Sequence, residues 1–392
     1  MKNSIVSFDN TEIAFADKSN ADLNRAYWLF RIIGINFLVK ISPYFVNTAL
    51  ALRLPIKGII KATAFKHFCG GESIDDCNNT INRLNNSKIG TILDYSVEGK
   101  ETEADFEHSL EETLSTIQRA QGDEKIPFSV FKVTGFAHFS LLEKVNAKKS
   151  LTQEESEEFE RLKKRVLTIC QAAAEKNVPV FIDAEESWIQ TVIDDLCNEM
   201  MMRFNKECVL VYNTFQLYRT DRLEYLKKSY RHALDNGYLL GAKLVRGAYM
   251  EKERKRALEM KYPSPIQPDK AACDRDYNDA IQFCVEHIDR IALCAGTHNE
   301  MSSQLLTELM KEKNIPNNHP HIYFSQLYGM SDHISYNLSA QDYHVAKYVP
   351  YGPVNSVLPY LIRRAQENTS VAGQIGRELS LIIQEKRRRK TG

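Results

Sequence analysis

From residue 89 onward the chain alternates between short runs of β-branched and apolar residues and longer stretches whose apolar positions recur at helical spacing. The short runs are IGTILDYS (89–96), PFSVFKVT (127–134), VPVFIDAE (178–185), CVLVYNTF (208–215), LGAKLVRG (240–247), IALCAGTH (291–298), HIYFSQLY (321–328) and AKYVPYG (346–352). Between and after them the spacing predicts helices over 103–120, 152–176, 187–203, 221–236, 275–288, 299–313 and 355–368; the second opens on the capping-box-like LTQEESEEF. Eight strands alternating with helices predict an α/β fold, a (β/α)8 TIM-like barrel. A doubly wound open sheet would carry fewer strands. For a dinucleotide it would also carry a G-x-G-x-x-G turn, and that motif follows none of these strands. The expected organisation is an N-terminal helical arm over 1–85, a barrel over 86–370, and a helix end with a basic tail over 371–392. The stretch 250–274 is a long loop in this reading, of the kind that forms lids or binding loops on a barrel rim. The tail QEKRRRKTG (384–392) is expected to be a solvated, frayed end.

Charge adds a constraint. With 51 acidic and 51 basic residues the formal net charge is zero, so no global field draws in nucleic acid and any charged ligand is held locally. The eight cysteines are scattered with no C-x-x-C, which fits reduced core thiols better than disulfides or zinc. The first twenty residues lack both the apolar core of a signal peptide and the Arg-rich, acid-poor character of a transit peptide, so a cytoplasmic location is expected. No apolar run reaches the roughly 20 residues needed to span a bilayer. Residues 27–60 are apolar with interspersed basics, which suits a helix packed on protein or one lying on a membrane surface.

In such a barrel the strands' C-terminal ends surround one mouth, so their residues form one constellation. In chain order these are Lys132; Asp183 with Glu185 and Glu186; Gln216; Lys243 with Arg246 and Tyr249 of KLVRGAY; Thr297 with His298 of GTHN; Gln326; and Tyr348. YLIRRAQEN (360–368) then places Tyr360, Arg363, Arg364 and Glu367 on one helical face, apart from an apolar stripe of Leu358, Leu361, Ile362 and Ala365. Singly, each has a structural explanation: Lys132 pairs with Asp183, His298 caps a helix, Gln216 bonds backbone, and Glu367 neutralises both arginines in water. Jointly, Arg, Lys and His from several strands describe a site for anions. KLVRGAY and GTHN look like a pyrophosphate cradle, with a glycine that admits close backbone approach and a helix N-terminus. Arg363 and Arg364 are left for a carboxylate, with Tyr249, Tyr348 and Tyr360 as walls around something small and mostly apolar. No metal is expected, because one rim histidine with no His/carboxylate triad does not make a metal site. No serine or cysteine nucleophile beside a base is visible either.

DAEE, KLVRGAY, GTHN, QLYGM, YVPYG and above all YLIRRAQEN, in this order and spacing, resemble the motif series of the proline dehydrogenase (proline oxidase) family over roughly residues 85–370. The resemblance implies a distorted (β/α)8 barrel that holds FAD non-covalently and oxidises L-proline to Δ1-pyrroline-5-carboxylate, with a membrane quinone as electron acceptor. It assigns Arg363 and Arg364 to the proline carboxylate, and Lys132, Tyr249, Tyr348 and Tyr360 to the ring pocket. Asp183, Lys132 and Lys243 become the catalytic group. Asp183, Ala184, Gln216, Lys243, Val245, Arg246, Gly247, Ala248, Thr297, His298, Asn299, Gln326 and Glu367 become FAD contacts. Two departures stand out: bacterial members read Arg where this chain has Lys243 and Lys where it has Arg246, and a tryptophan often stands at Met250. KLVRGAY resembles the animal-type pattern instead.

Three other readings bear on the same residues. A 4-hydroxy-L-proline dehydrogenase would keep fold and cofactor, but the phenol of Tyr348 crowds a ring hydroxyl. A Schiff-base lyase would use Lys132 or Lys243 as an amine nucleophile. A non-enzymatic scaffold would use the rim charges only as salt bridges. A quinone acceptor further implies peripheral contact with the inner face of the cell membrane, through 27–60 or the basic tail.

Overall fold

Alternate residues of a strand share a face, and in this chain that parity sorts inner residues by size. Phe128 of β2 (Phe128–Lys132) stacks on Phe181 of β3 (Val180–Asp183) with centroids 4.4 Å apart. It meets Tyr323 of β7 (Ile322–Leu327) edge-on at 4.8 Å and Tyr212 of β4 (Val211–Gln216) at 5.6 Å. Edge-to-face contacts of this kind add about 0.5–1.5 kcal/mol per pair beyond the apolar area that they bury. Beside this layer β5 (Leu240–Val245) carries Gly241, where a Cβ would lie 2.3 Å from the Val211 carbonyl oxygen, so only glycine lets the strands approach.

The computed structural model describes residues 6–33, 58, 60–97, 99, 101–370 and 374–391. Eight strands, from β1 (Ile89–Tyr95) through β6 (Ile291–Gly296) to β8 (Val345–Tyr351), follow one another in chain order and close into a barrel. The described pairings are parallel, with Lys132 opposite Asp183 and Lys243 between Thr214 and Cys294. Every residue of β4 and β8 is buried, as expected of parallel strands covered on both faces. Expected helix starts hold where side chains cap them: Thr102 with Asp105, and Thr152 with Glu155, each complete a capping box.

By compactness the chain divides into Gly99–Ser325 and a unit formed by Met1–Glu98 with Gln326–Gly392. In the first, the stretch expected as a long loop contains a helix, Met250–Met260, which ends at Lys261 in the left-handed conformation (φ 57°); the next helix begins at Lys270 on the Asp269 cap. Its charged run MEKERKRALEM has few apolar positions, so its helical period is faint in the sequence. In the second unit, the Val354–Ser370 helix buries Val357, Leu358, Tyr360 and Leu361 against Phe65, Phe68 and Cys69. Most of the apolar arm 27–60 lies outside the described residues.

The basic tail is not a frayed end. It forms the last turns of a helix, Gln374–Thr391, whose Leu381 and Ile382 pack with Ala14, Phe15, Leu23, Ala26 and Phe30. Arg389 donates to the carbonyls of Phe15 and Lys18 at 2.8 Å each, and fully buried Glu385 accepts from Arg388 and Arg389 at 2.8 and 2.6 Å. Of the basic residues that read as solvated, Arg389 therefore satisfies carbonyls at and beyond the end of the Thr11–Ala14 helix. Nearby, Asp332 holds Lys347 at 2.6 Å and Lys18 at 3.2 Å. Burial raises the carboxyl's pKa, but the two lysines outweigh it and hold it well below the usual range. Among the described residues no helix is long and apolar enough to cross a membrane, and every cysteine is free and, except for Cys208, buried.

The docked tail makes a checkable claim. Leu381→Ala should destabilise the fold by about 2–5 kcal/mol, as a fully buried leucine does when truncated. Arg388→Ala, which removes a side chain that is 44% exposed while Arg389 stays on Glu385, should shift stability much less. Denaturant midpoints of the two variants measure this; equal, small effects would mean the helix is frayed in solution.

Candidate active site

The parity that builds the aromatic layer carries charge one step further along the same strands. Two residues past Phe181 stands Asp183, and Lys132 and Lys243 reach it from either side. Lys243 Nζ donates to Asp183 Oδ1, Lys132 Nζ lies 3.6 Å from Oδ2, and the Lys243 ammonium sits 5.3 Å from the centre of the Phe181 ring. Lys243 is buried, and side-chain exposure is 14% at Asp183 and 33% at Lys132, so only Lys132 retains substantial access to water. Burial pushes the Asp183 carboxyl up; Lys243 and then Lys132 pull it below its ordinary value. The ion-pair geometry also bears on the Schiff-base reading, because both amines that it would use are held on one carboxylate.

Glu185, two residues on, is a node that sequence reasoning placed on the rim without a role. Its Oε1 accepts from Thr134 N–H at 3.0 Å and its Oε2 contacts Thr134 Oγ1 at 2.5 Å. Its backbone N–H donates to Gln190 at 2.8 Å, and its carbonyl accepts from Gln216 Nε2 at 2.6 Å. Burial lifts the carboxyl to about 7 against the pull of the Thr134 donors, and the neighbouring Glu186 adds to the rise while Lys132 opposes it. Its signal in the sequence was only its place in DAEE.

Several of the expected cofactor residues are joined by hydrogen bonds. Gln216 is buried, and its Oε1 accepts from Ala248 N–H at 3.4 Å. Gly247 has φ 139°, and a Cβ there would lie 2.4 Å from the Tyr218 ring, so KLVRGAY needs glycine at this place. Arg246 spans Asp274 at 2.8 Å, Thr297 Oγ1 at 2.7 Å and Ser302 Oγ at 2.9 Å, and its guanidinium lies 4.4 Å from the Tyr277 ring centre. Asn299 caps the Glu300–Glu312 helix by accepting from Ser302 N–H, and donates its own N–H to Thr297 Oγ1. Val245 ends β5, Ala184 is buried beside Asp183, and half-buried His298 immediately precedes the cap. A glycine-bearing turn, buried amide and hydroxyl groups and a helix N-terminus are the donor set a dinucleotide requires, so these residues fit FAD.

In the other unit, Tyr348 of β8 is buried, and its carbonyl accepts from Tyr328 N–H at 2.8 Å. Lys347 beside it points to Asp332 and the Met330 carbonyl, so parity turns Tyr348 to the opposite face. Gln326 is buried and accepts from Ser335 Oγ at 2.8 Å. On the Val354–Ser370 helix Tyr360 is buried and Arg363 half-buried; Arg364 is 8% exposed, its guanidinium 5.2 Å from the Tyr360 ring centre. Tyr249 is the N-cap residue of the Met250–Met260 helix. The side chain of Glu367 lies outside the described residues. Among the described residues no group of His, Cys, Asp and Glu could hold a metal ion.

Residues 77–377 match the family model described as proline dehydrogenase. The chain belongs to the proline dehydrogenase family. Proline dehydrogenase 1, mitochondrial, of Dictyostelium discoideum is 32% identical over 97% of this chain and 74% of its own length. The carbapenem antibiotics biosynthesis protein CarD of Pectobacterium carotovorum subsp. carotovorum is 33% identical over 83% of this chain and 84% of its own. The crystal structure of proline utilization A (PutA) from Bdellovibrio bacteriovorus inactivated by N-propargylglycine superposes with a TM-score of 0.73 and covers 95% of this chain. At 21% identity that likeness shows the barrel alone, and the chain spans only 40% of that longer protein. Family membership thus rests on sequence, and the barrel on structure.

Glu185 makes a pH-dependent prediction for this family member. Unfolded, its carboxyl ionises near the ordinary 4.5; folded, near 7. Between these values the folded chain keeps a proton that the unfolded chain has released, so the group's contribution to stability falls as pH rises through that window. Glu185→Gln mimics the neutral form, and should nearly match the parent at about pH 5 and exceed it by about 2 kcal/mol at about pH 8. Unfolding midpoints at both pH values measure the difference; a difference independent of pH would refute the shift.

Proposed function

We propose that the protein is an FAD-dependent dehydrogenase that oxidises L-proline to Δ1-pyrroline-5-carboxylate, with a membrane quinone as electron acceptor. The observation that supports this most is Arg364, held out of water against Tyr360 next to Arg363, in a chain of the proline dehydrogenase family. Two adjacent guanidiniums with planar forks suit a single carboxylate, and an aromatic face keeps one fork from swinging into solvent. In this reading Arg363 and Arg364 bind the proline carboxylate, and Tyr348, Tyr360, Tyr249 and Lys132 line the ring pocket.

FAD, when bound, supplies the hydride acceptor for C5 of proline. Gln216, Lys243, the backbone of residues 245–248, Thr297, His298, Asn299 and Gln326 would hold it, with Ala184 and Asp183 beside it and Glu367 on the arginine helix. Before hydride loss the proline ammonium must give up a proton, because the nitrogen lone pair drives formation of the imine bond. Asp183, already paired with Lys243 and Lys132 and depressed in pKa, suits a fixed negative charge better than a proton acceptor at neutral pH. Its role here is to hold the two ammonium groups in place. Positioning by the arginine pair and exclusion of water by the tyrosines then supply the advantage.

The preferred substrate is proline rather than 4-hydroxyproline because Tyr348 is bulky and buried. The acceptor reading places the enzyme peripherally on the inner face of a membrane. With the tail helix docked on the N-terminal helices, residues 27–60 remain the candidate contact from the sequence.

A visible spectrum before and after addition of L-proline tests the function: flavin bands that bleach support it, and a protein purified with FAD that proline does not bleach overturns it. Arg363→Ala and Arg364→Ala should each raise KM for proline about tenfold or more, the loss of a charge-assisted contact of about 1.5–3 kcal/mol. Unchanged KM in both would remove the carboxylate assignment. Tyr348→Ser should raise the ratio of kcat/KM for hydroxyproline to that for proline, and an unmoved ratio would place specificity elsewhere.

A further inference from the structure

The Ser187–Phe204 helix, which follows β3, starts without a cap of its own: its N-cap residue, Glu186, makes no capping side-chain hydrogen bond among the described residues. The cap comes from a different helix. Glu253, on Met250–Met260, is fully buried, and its carboxylate accepts from Ser187 N–H and from Ser187 Oγ, both at 2.6 Å. A carboxylate at a helix N-terminus satisfies orphan N–H groups and meets the positive end of the helix dipole. Contacts on either side keep the two segments in register. Lys252 Nζ lies 2.7 Å from Glu186 Oε1; Arg256 pairs with Glu143, and its guanidinium lies 4.5 Å from the Trp188 ring centre.

This docking acts on the residues just upstream. Glu253 N–H donates to the Tyr249 carbonyl at 2.9 Å, so Tyr249 stands one helical turn from the clamp, next to Ala248, whose N–H reaches Gln216. The clamped partner, Ser187, is separated by only a few residues from Asp183 and Glu185.

We propose that Glu253 is a positioning residue: by capping the Ser187–Phe204 helix it holds the Met250–Met260 helix closed on the segment after β3, and thereby fixes Tyr249 and Ala248 for binding substrate and cofactor. The consequence for substrate rests on the proline dehydrogenase reading above; the clamp itself does not. An isolated carboxylate in this charged run would belong in water. Its complete burial on two donors of one serine gives the run an anchored end, and the exposed Leu258 and Met260 belong to the far end of the same helix.

The test uses the full chain loaded with FAD and compares the parent with Glu253→Ala and Glu253→Gln. Trypsin reads the clamp without reference to activity, since Arg254, Lys255, Arg256 and Lys261 lie in or just beyond the helix. Glu253→Ala should speed cleavage at these sites, mapped by mass spectrometry, by about tenfold, as a local opening made easier by one charge-assisted hydrogen bond. It should raise KM for proline by about the same factor and change kcat by less than about threefold, the pattern of lost binding rather than lost chemistry. Glu253→Gln keeps an acceptor for Ser187 N–H and should recover most of both losses. Cleavage at the parental rate in Glu253→Ala overturns the clamp. Faster cleavage with unchanged KM overturns the positioning role and leaves a purely structural cap. A parent that does not oxidise proline overturns the functional reading, and the proteolysis arm still decides the clamp. If Glu253→Ala fails to fold, Ser187→Ala, which removes one of the two donors, takes its place with the same outcomes at smaller amplitude.

Discussion

Closing a parallel sheet on itself leaves inner positions only at every second residue of each strand, and those few positions must first fill the interior. Here Phe128, Phe181, Tyr212 and Tyr323 fill one level, with Gly241 on a neighbouring strand leaving room for close approach. What remains is the last inward residue before each strand ends. On β2 and β3 these are Lys132 and Asp183, and from β5 Lys243 joins them. Their ion pairing follows from the aromatic level as much as from the charges. An unpaired Asp183 next to an apolar layer would be neutralised or expelled, because a buried charge survives only with its partner and hydrogen bonds.

The same constraint explains why the loops after these strands are so densely bonded. A chain leaving the sheet has backbone groups that no ladder satisfies, and burial near the mouth denies them water. Glu185 answers with its N–H on Gln190, its carbonyl on Gln216 and its carboxyl on Thr134, and Gln216 passes the connection to Ala248. The residues that resemble cofactor contacts are thus also the residues that terminate strands in order. In the second unit, Asp332 anchors Lys347, and that anchoring turns the adjacent Tyr348 to the other face.

Strand order and helix order were legible because period two and period 3.6 are strong wherever one face is buried, and the capping-box-like run at Thr152 marked a start to within a residue. The rim inventory was legible by parity, since Lys132, Asp183 and Gln216 each close a strand. Two things were not. The Met250–Met260 helix is held by polar contacts, through Glu253, Lys252 and Arg256, and polar anchors leave no hydrophobic period to read. Arg389 in the tail looked solvated because sequence shows its charge but not the carbonyls of Phe15 and Lys18 that it reaches, which are distant in the chain. Local pattern reports which face is apolar; it does not report which distant polar group waits for a charge.

The inverted basic pair in KLVRGAY follows the same logic of partners. Arg246 meets Asp274, Thr297 and Ser302 in different directions and lies on the Tyr277 ring, a surround that a planar fork can satisfy and a single ammonium cannot. Lys243 donates to the Asp183 carboxylate from above the Phe181 ring, where a compact point charge fits. Exchanging the two residues would preserve net charge and leave the Arg246 surround unmet. A chain with lysine at 246 would need other partners for Thr297 and Ser302. The residue at 246 is therefore coupled to its neighbours, and an exchange that keeps the net charge does not keep the contacts.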